Sequence, residues 1–153
     1  MWWEKQRGDF RISTDPGRLD RKLIHSFLSE ESGWSKGIPY ERVNRSIDNS
    51  LNFGVYDGPE MVGYARVISD LATIAYLGDV FVLPAYRGRG LSRMLLDAIL
   101  EHPDLQGLRR WILLTSTAEA LYRKYGFDQP ARPEIYMEKY DPEVYAPGGA
   151  GLK

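Results

Sequence analysis

Residues 79–96 read DVFVLPAYRGRGLSRMLL. A β-rich apolar run meets a turn holding one proline and two glycines. After it Leu91, Met94, Leu95, Ala98 and Ile99 keep the i, i+3, i+4, i+7, i+8 spacing of a helix buried on one side. Pro103 ends that helix, because a proline pushes the residue before it out of the helical region. Strand, glycine-rich turn and helix is an arrangement that binds anions. The first N–H groups of a helix have no partner within it, and its dipole favours negative charge there. Gly88 and Gly90 carry no Cβ, which lets a ligand oxygen approach the backbone, and Arg87, Arg89 and Arg93 add positive charge. The competing reading is a plain surface turn with a helix cap. Neither common nucleotide pattern is present: no Lys-Ser or Lys-Thr follows the glycines, and Arg93 stands where G-x-G-x-x-G needs its last glycine.

Upstream, DFRIST reads as a short strand. Thr14 or Asp15 caps a helix with Pro16 in its first turn and Leu19, Leu23 and Phe27 on one face. ESGWSKGI is loop-like, and Pro39 opens a second short helix with Tyr40, Val43 and Ile47 on one side. LNFGVYDG and MVGYARVIS form a hairpin around Asp57, Gly58 and Pro59, and TIAYLGDVFVL is a central strand in which Gly78 marks either a bulge or a close backbone approach. Downstream of the helix, RRWILLT is a buried strand. Ser116 and Glu119 form a capping box at the head of a helix that Gly126 stops, and EIYMEKY is a last strand whose two faces are not cleanly polar and apolar. The element order implies an α/β domain with a mixed sheet and helices on both faces. It spans residues 1–140, and the Pro- and Gly-containing DPEVYAPGGAGLK is expected to be a flexible tail over 141–153.

The chain has 153 residues, enough for one domain with a real core. With 43% hydrophobic and 27% charged residues it reads as globular. No apolar run approaches a membrane span of about 20 residues, and MWWEKQRGDF lacks the apolar core of a signal peptide, so no membrane partner and a cytoplasmic location are expected. A net charge of −1 argues against nonspecific nucleic-acid binding. The absence of Cys excludes disulfides, a catalytic thiol and Cys-ligated zinc, and with His25 and His102 the only histidines no metal site is expected. Both histidines read as surface or helix-end residues.

VLPAYRGRGLS resembles the pyrophosphate-binding loop of the GNAT superfamily of acetyl-CoA-dependent N-acetyltransferases: Arg or Gln, two residues, Gly, one residue, then Gly or Ala. Arg87 and Gly90 match it, and Ser92 is the small residue at the sixth position. ALYRKYGF is similar to the family's second signature, a helix with a Tyr four residues before Gly-Phe, at the usual separation. The resemblance covers roughly residues 9–140. It implies a central, mostly antiparallel sheet whose fourth and fifth strands splay to admit the pantetheine arm. Acetyl-CoA would be the co-substrate, its pyrophosphate on Arg87, Gly88, Arg89, Gly90, Leu91 and Ser92. Its pantetheine would pair with the backbone at Val80 and Val82 and reach Thr115, where many relatives carry Asn. The resemblance also places Tyr122 as the general acid for the leaving thiolate; a Tyr with an ordinary pKa of about 10 holds its proton at neutral pH. The competing reading makes Tyr122 core, since Ala118, Leu121, Tyr122 and Tyr125 form a helical stripe.

Asp79 is a candidate general base, against which stands an Asp that pairs with an Arg or completes a bulge. Glu119 is better explained as the capping-box acid. The acceptor, a small-molecule or protein amine, would enter over the N-terminal helices, where Glu30, Trp34 and Tyr40, with Tyr76 on the central strand, suit a cation; a merely solvated acidic loop is the alternative. The expected activity is direct attack of a primary amine on the thioester in a ternary complex, since no Cys can carry an acetyl intermediate. A catalytically silent acyl-CoA-binding regulatory module is the second reading, and a homodimer is left open. A third, an ATP-binding domain, lacks the Walker Lys.

Overall fold

The computed structural model describes residues 2–146. Six strands form one sheet in chain order: β1 (Glu4–Arg7), β2 (Phe10–Ser13), β3 (Leu51–Asp57), β4 (Glu60–Ser69), β5 (Ile74–Val82) and β6 (Arg110–Leu113). All neighbours are antiparallel except β5 and β6. Helices α1 (Arg21–Ser26) and α2 (Tyr40–Asp48) cover one face. Helices α3 (Leu91–Glu101) and α4 (Glu119–Arg123) cover the other.

Strand alternation builds both cores. Along β4, Val62, Ala65 and Val67 pack toward α3, while Met61 and Tyr64 pack toward α1 and α2. Helix α3 buries Leu91, Met94, Leu95, Leu96, Ala98 and Ile99, and full burial of each large side chain contributes about 1.5–3 kcal/mol. On the opposite face Phe27 stacks on Phe81 with ring centroids 4.1 Å apart. The β3–β4 turn lies at Gly58 and Pro59 as expected, with Asp57 opposite Glu60.

Several elements depart from the sequence expectation. The N-terminal strand belongs to a hairpin, and its partner β1 was not foreseen because EKQR has no apolar alternation. Its charges suit a sheet edge, where Glu4 pairs with Arg11 and Arg18 and Lys5 pairs with Glu101. The first helix starts later than Thr14. Asp15 caps only a 3₁₀ turn, Pro16–Arg18, and Asp20, accepting from the Leu23 N–H at 3.0 Å, caps α1. A π turn over Phe27–Glu31 then extends α1. The Ser116 capping box does not form. Ala118 is the N-cap, the Thr115 hydroxyl accepts from its N–H at 3.0 Å, and Glu119 instead binds Arg123.

EIYMEKY is not a strand. Pro133–Ile135 is a 3₁₀ turn, residues 136–140 pair with nothing in the sheet, and Met137 is 96% exposed. Its β-prone residues lack the buried face that makes such propensity count. At the expected tail, residues 142–145 form a turn and Tyr145 packs against the α1–α2 core; residues 147–153 lie outside the described residues. Both histidines stand at helix ends as expected, His25 in the last turn of α1 and His102 as the C-cap of α3, but His102 is buried, in ring contact with Trp3 and Phe53, and its Nδ1 accepts from the Asp104 N–H.

Candidate active site

The site begins where two parallel strands part. β6 pairs with β5 only over Ile74–Leu77; from Gly78 to Val82 β5 keeps β4 on one side and has no strand on the other. The strands parted here are the fourth and fifth of the sequence reading, renumbered by the extra β1. A bulge sits at the parting: Arg66 lies opposite Gly78 and Tyr64 opposite Phe81, so Asp79 and Val80 together face Ala65. Asp79 takes a positive φ of 54°, uncommon for a side-chain-bearing residue. Gly78 leaves space for the Tyr76 ring, which a Cβ there would meet at 3.0 Å.

At the far end of β5 the chain turns through a 3₁₀ turn, Pro84–Tyr86, into α3. Gly88 and Gly90 have φ of 81° and 75°, so each needs the freedom of glycine. No side chain caps α3, which leaves the amides of its first turn open to an outside acceptor. The loop is held from behind. Arg7 of β1 donates to the carbonyls of Arg89 and Gly90 at 3.4 and 3.2 Å, turning those acceptors away from the amide side. Arg87 Nε donates to the Val82 carbonyl at 3.0 Å, so this arginine braces the loop against β5. Arg89 lies over the Tyr86 ring, and Arg93 is exposed.

Beyond the parting lies a cleft of about 650 Å³, lined among others by Tyr76, Thr115, Tyr122, Phe127, Tyr136 and Glu138. Tyr122 is 9% exposed and packs edge-on to Phe127, with centroids 6.0 Å apart. Burial raises its pKa, and so does burial, followed by the Asp79 charge, at Tyr76. Tyr122 therefore belongs to the apolar stripe and to the cleft wall at once. Thr115 lines the cleft while its hydroxyl accepts from the α4 N-cap.

Asp79 lies in a second cavity, on the α2 side of the sheet. Its Oδ2 accepts from Arg66 Nε at 2.8 Å and its Oδ1 from Trp34 Nε1 at 3.1 Å, with side chains of Arg66 and Asp79 only 17% and 13% exposed. Sequence reading missed Arg66, although a lone cation inside the apolar MVGYARVIS was a visible signal. Trp34 is thus joined to Asp79, whereas Glu30 and Tyr40 line neither cavity. Glu30 accepts from Ser26, and Tyr40 lies edge-on to His25. Among the described residues no group of His, Asp or Glu is placed to hold a metal, and no helix is long and apolar enough to cross a membrane.

Residues 21–127 match the Acetyltransferase (GNAT) family. A Gibberella zeae protein named as an acetyltransferase is 35% identical over 140 residues, covering 77% of this chain and 78% of its own. A crystal structure from Xanthomonas campestris pv. campestris, assigned to the GNAT family, has 52% identity and a TM-score of 0.89 over 92% of this chain and 99% of the other. A Clostridium acetobutylicum structure with acetyl-CoA shares the fold, with a TM-score of 0.65 at 17% identity over 90% of this chain and 96% of the other. The two glycines at left-handed φ before an uncapped helix, the strands that part beside them and these matches have one reading: the chain belongs to the GNAT family of acetyltransferases.

Proposed function

We propose that the protein transfers the acetyl group of acetyl-CoA to a primary amine by direct attack in a ternary complex. The observation that carries this reading is the β5–β6 parting, with the open amides of α3 at one end and Tyr122 in the cleft beyond it. In this reading the pyrophosphate lies on the amides from Gly88 to Ser92, with Arg89 and Arg93 supplying charge. Pantetheine continues the sheet along the β5 edge that β6 leaves open from Gly78 to Val82, with Thr115 on the opposite wall. Because Arg87 already holds the Val82 carbonyl, pairing there falls to the Val80 region.

The amine lone pair attacks the thioester carbonyl, the tetrahedral adduct collapses with loss of the C–S electron pair to sulfur, and Tyr122 gives its phenolic proton to that thiolate. Its raised pKa keeps the proton on the hydroxyl until it is needed. The proton lost by nitrogen goes to Asp79. Both Asp79 oxygens already accept hydrogen bonds, so this role requires the incoming amine to displace the Trp34 indole while Arg66 stays in place.

Two measurements test the reading. Acetyl-CoA and CoA raise the melting temperature and ATP does not. At a ligand concentration of about 100 Kd the gain is about 2.7 kcal/mol, or roughly 5–10 °C for a chain of this size. CoA release is then followed over a panel of amines. Stabilisation by CoA with no turnover of any amine would assign the chain as an acyl-CoA-binding module, and equal stabilisation by ATP would reject the donor.

A further inference from the structure

We infer that the cavity on the α2 side is an anion subsite, and that the acceptor amine carries a carboxylate or phosphate which this subsite holds. The inference rests on the acetyl-transfer reading above for the word acceptor, but the subsite itself does not. The cavity encloses about 420 Å³. Its lining includes apolar Leu28 and Ile38, two arginines one turn apart on α2, Arg42 and Arg45, and the Arg66–Asp79 pair. Arg42 and Arg45 are exposed at its rim, and its one carboxylate, Asp79, is already paired with Arg66.

Arg66 donates Nε to Asp79 and Nη1 to the Ser50 hydroxyl at 3.2 Å, which leaves its Nη2 end without an acceptor among the described residues. Arg45 contributes only its backbone carbonyl, to Asn49, and its guanidinium pairs with no carboxylate among the described residues. Arg42 has a contact of its own, so the recognition is assigned to Arg45 and Arg66. The nearby Asp48 is held by Arg21 at 2.9 Å. A polyamine would meet net repulsion here. A planar carboxylate or a phosphate matches the fork of a guanidinium and gains charge-assisted hydrogen bonds against an apolar floor.

The subsite lies within reach of the reaction. Tyr76 lines the cleft and Asp79 the arginine cavity, and three strand residues span roughly 10 Å. An acceptor with its anion on Arg45 and Arg66 presents its amine across the bulge, where the thioester is expected. The acidic and aromatic loop of the sequence reading contributes only Trp34 to this arrangement, through Asp79.

The test uses matched amines with the full chain and acetyl-CoA. Glycine, β-alanine, 4-aminobutyrate and glutamate are each compared with their amides, and O-phosphoethanolamine with ethanolamine, by CoA release. At least one anionic member is expected to exceed its neutral partner at least tenfold in kcat/KM; its chain length reports the reach and its headgroup separates carboxylate from phosphate. Arg45→Gln is expected to remove about 10- to 100-fold of that advantage, mainly through KM, while the neutral partners are unchanged. Equal or better use of the neutral partners by the wild type, or an equal loss for both members of a pair in Arg45→Gln, overturns the inference.

A readout without turnover runs beside it. Glutarate and inorganic phosphate are titrated into the CoA-bound protein and followed at the arginine Nε–H resonances by NMR. Binding at Arg45 and Arg66 that weakens at least tenfold in Arg45→Gln supports the subsite, even if no amine is acetylated, in which case it is the catalytic reading that fails. Binding of neither anion overturns it.

Discussion

At the scale of single residues, packing and the proposed chemistry meet at Tyr122 and Asp79. Tyr122 is buried against Phe127 and lines the cleft, and no protein group among the described residues hydrogen-bonds its hydroxyl. Tyr122→Phe therefore removes only the proton donor. The expected outcome is a kcat lower by roughly 10²- to 10⁴-fold with CoA affinity and melting temperature near wild type, measured by steady-state kinetics, calorimetric titration and thermal melts. Wild-type turnover where chemistry limits, or a loss of several kcal/mol of stability, would count against the acid role. The pH profile carries a second signature. Because burial raises the Tyr122 pKa, the alkaline fall in kcat should lie above the ordinary tyrosine value of about 10 and vanish in the variant. Legibility differs at the two residues. A Tyr four positions before Gly-Phe is a pattern along the chain, whereas the Arg66–Asp79 pair joins residues 13 apart and exists only because β4 and β5 lie side by side.

At the scale of elements, the decisive piece is the turn into α3. Gly90 at φ 75° is the N-cap, and its missing Cβ faces the Arg7 guanidinium that pins the loop. Gly107 has nearly the same conformation, φ 72°, with nothing within 4 Å of where a Cβ would stand, and lies outside the loop. Alanine at either position should cost about 1–2 kcal/mol of stability from left-handed strain. Only Gly90→Ala should also weaken CoA binding, by at least tenfold, because its methyl group presses on the Arg7 guanidinium that pins the loop and so disturbs the amides proposed to receive the pyrophosphate. Thermal melts and CoA titrations of the two variants separate strain from site, and equal CoA affinity in both would place the phosphate elsewhere. Element type was readable where apolar spacing was long, as in α3, β4 and β5. It failed at β1, whose four polar residues carry no period, and at residues 134–140, whose β-prone side chains find no neighbouring strand.

At the scale of the whole molecule, buried tyrosines set the response of stability to alkaline pH. The α1–α2 core buries Tyr56 and Tyr64; burial pushes Tyr56 up to about 12 and Tyr64 higher still. A group whose folded pKa is raised gives stability that is complete below its unfolded value, about 10, and lost as pH rises through the folded value. The melting temperature should therefore hold to about pH 10 and fall steeply toward pH 12. Tyr56→Phe should make that fall shallower, and at neutral pH should cost little, since the Tyr56 hydroxyl is buried without a partner. Melts of both proteins from pH 7 to 11.5 check this, and superimposable curves would refute it. By itself, the sequence determined what depends on neighbours along the chain: the helix periodicity of α3, the glycines of the turn before it, the two signatures and the absence of any cysteine. Only the tertiary structure decided which faces meet: β1 on the sheet edge with Arg7 behind the loop, Asp79 between Arg66 and Trp34, and Arg45 across a cavity from Arg66. The physical reason is that periodicity and φ preference are local energies, while ion pairs and cavities arise between segments brought together by burial of two apolar faces, and no spacing in the chain records them.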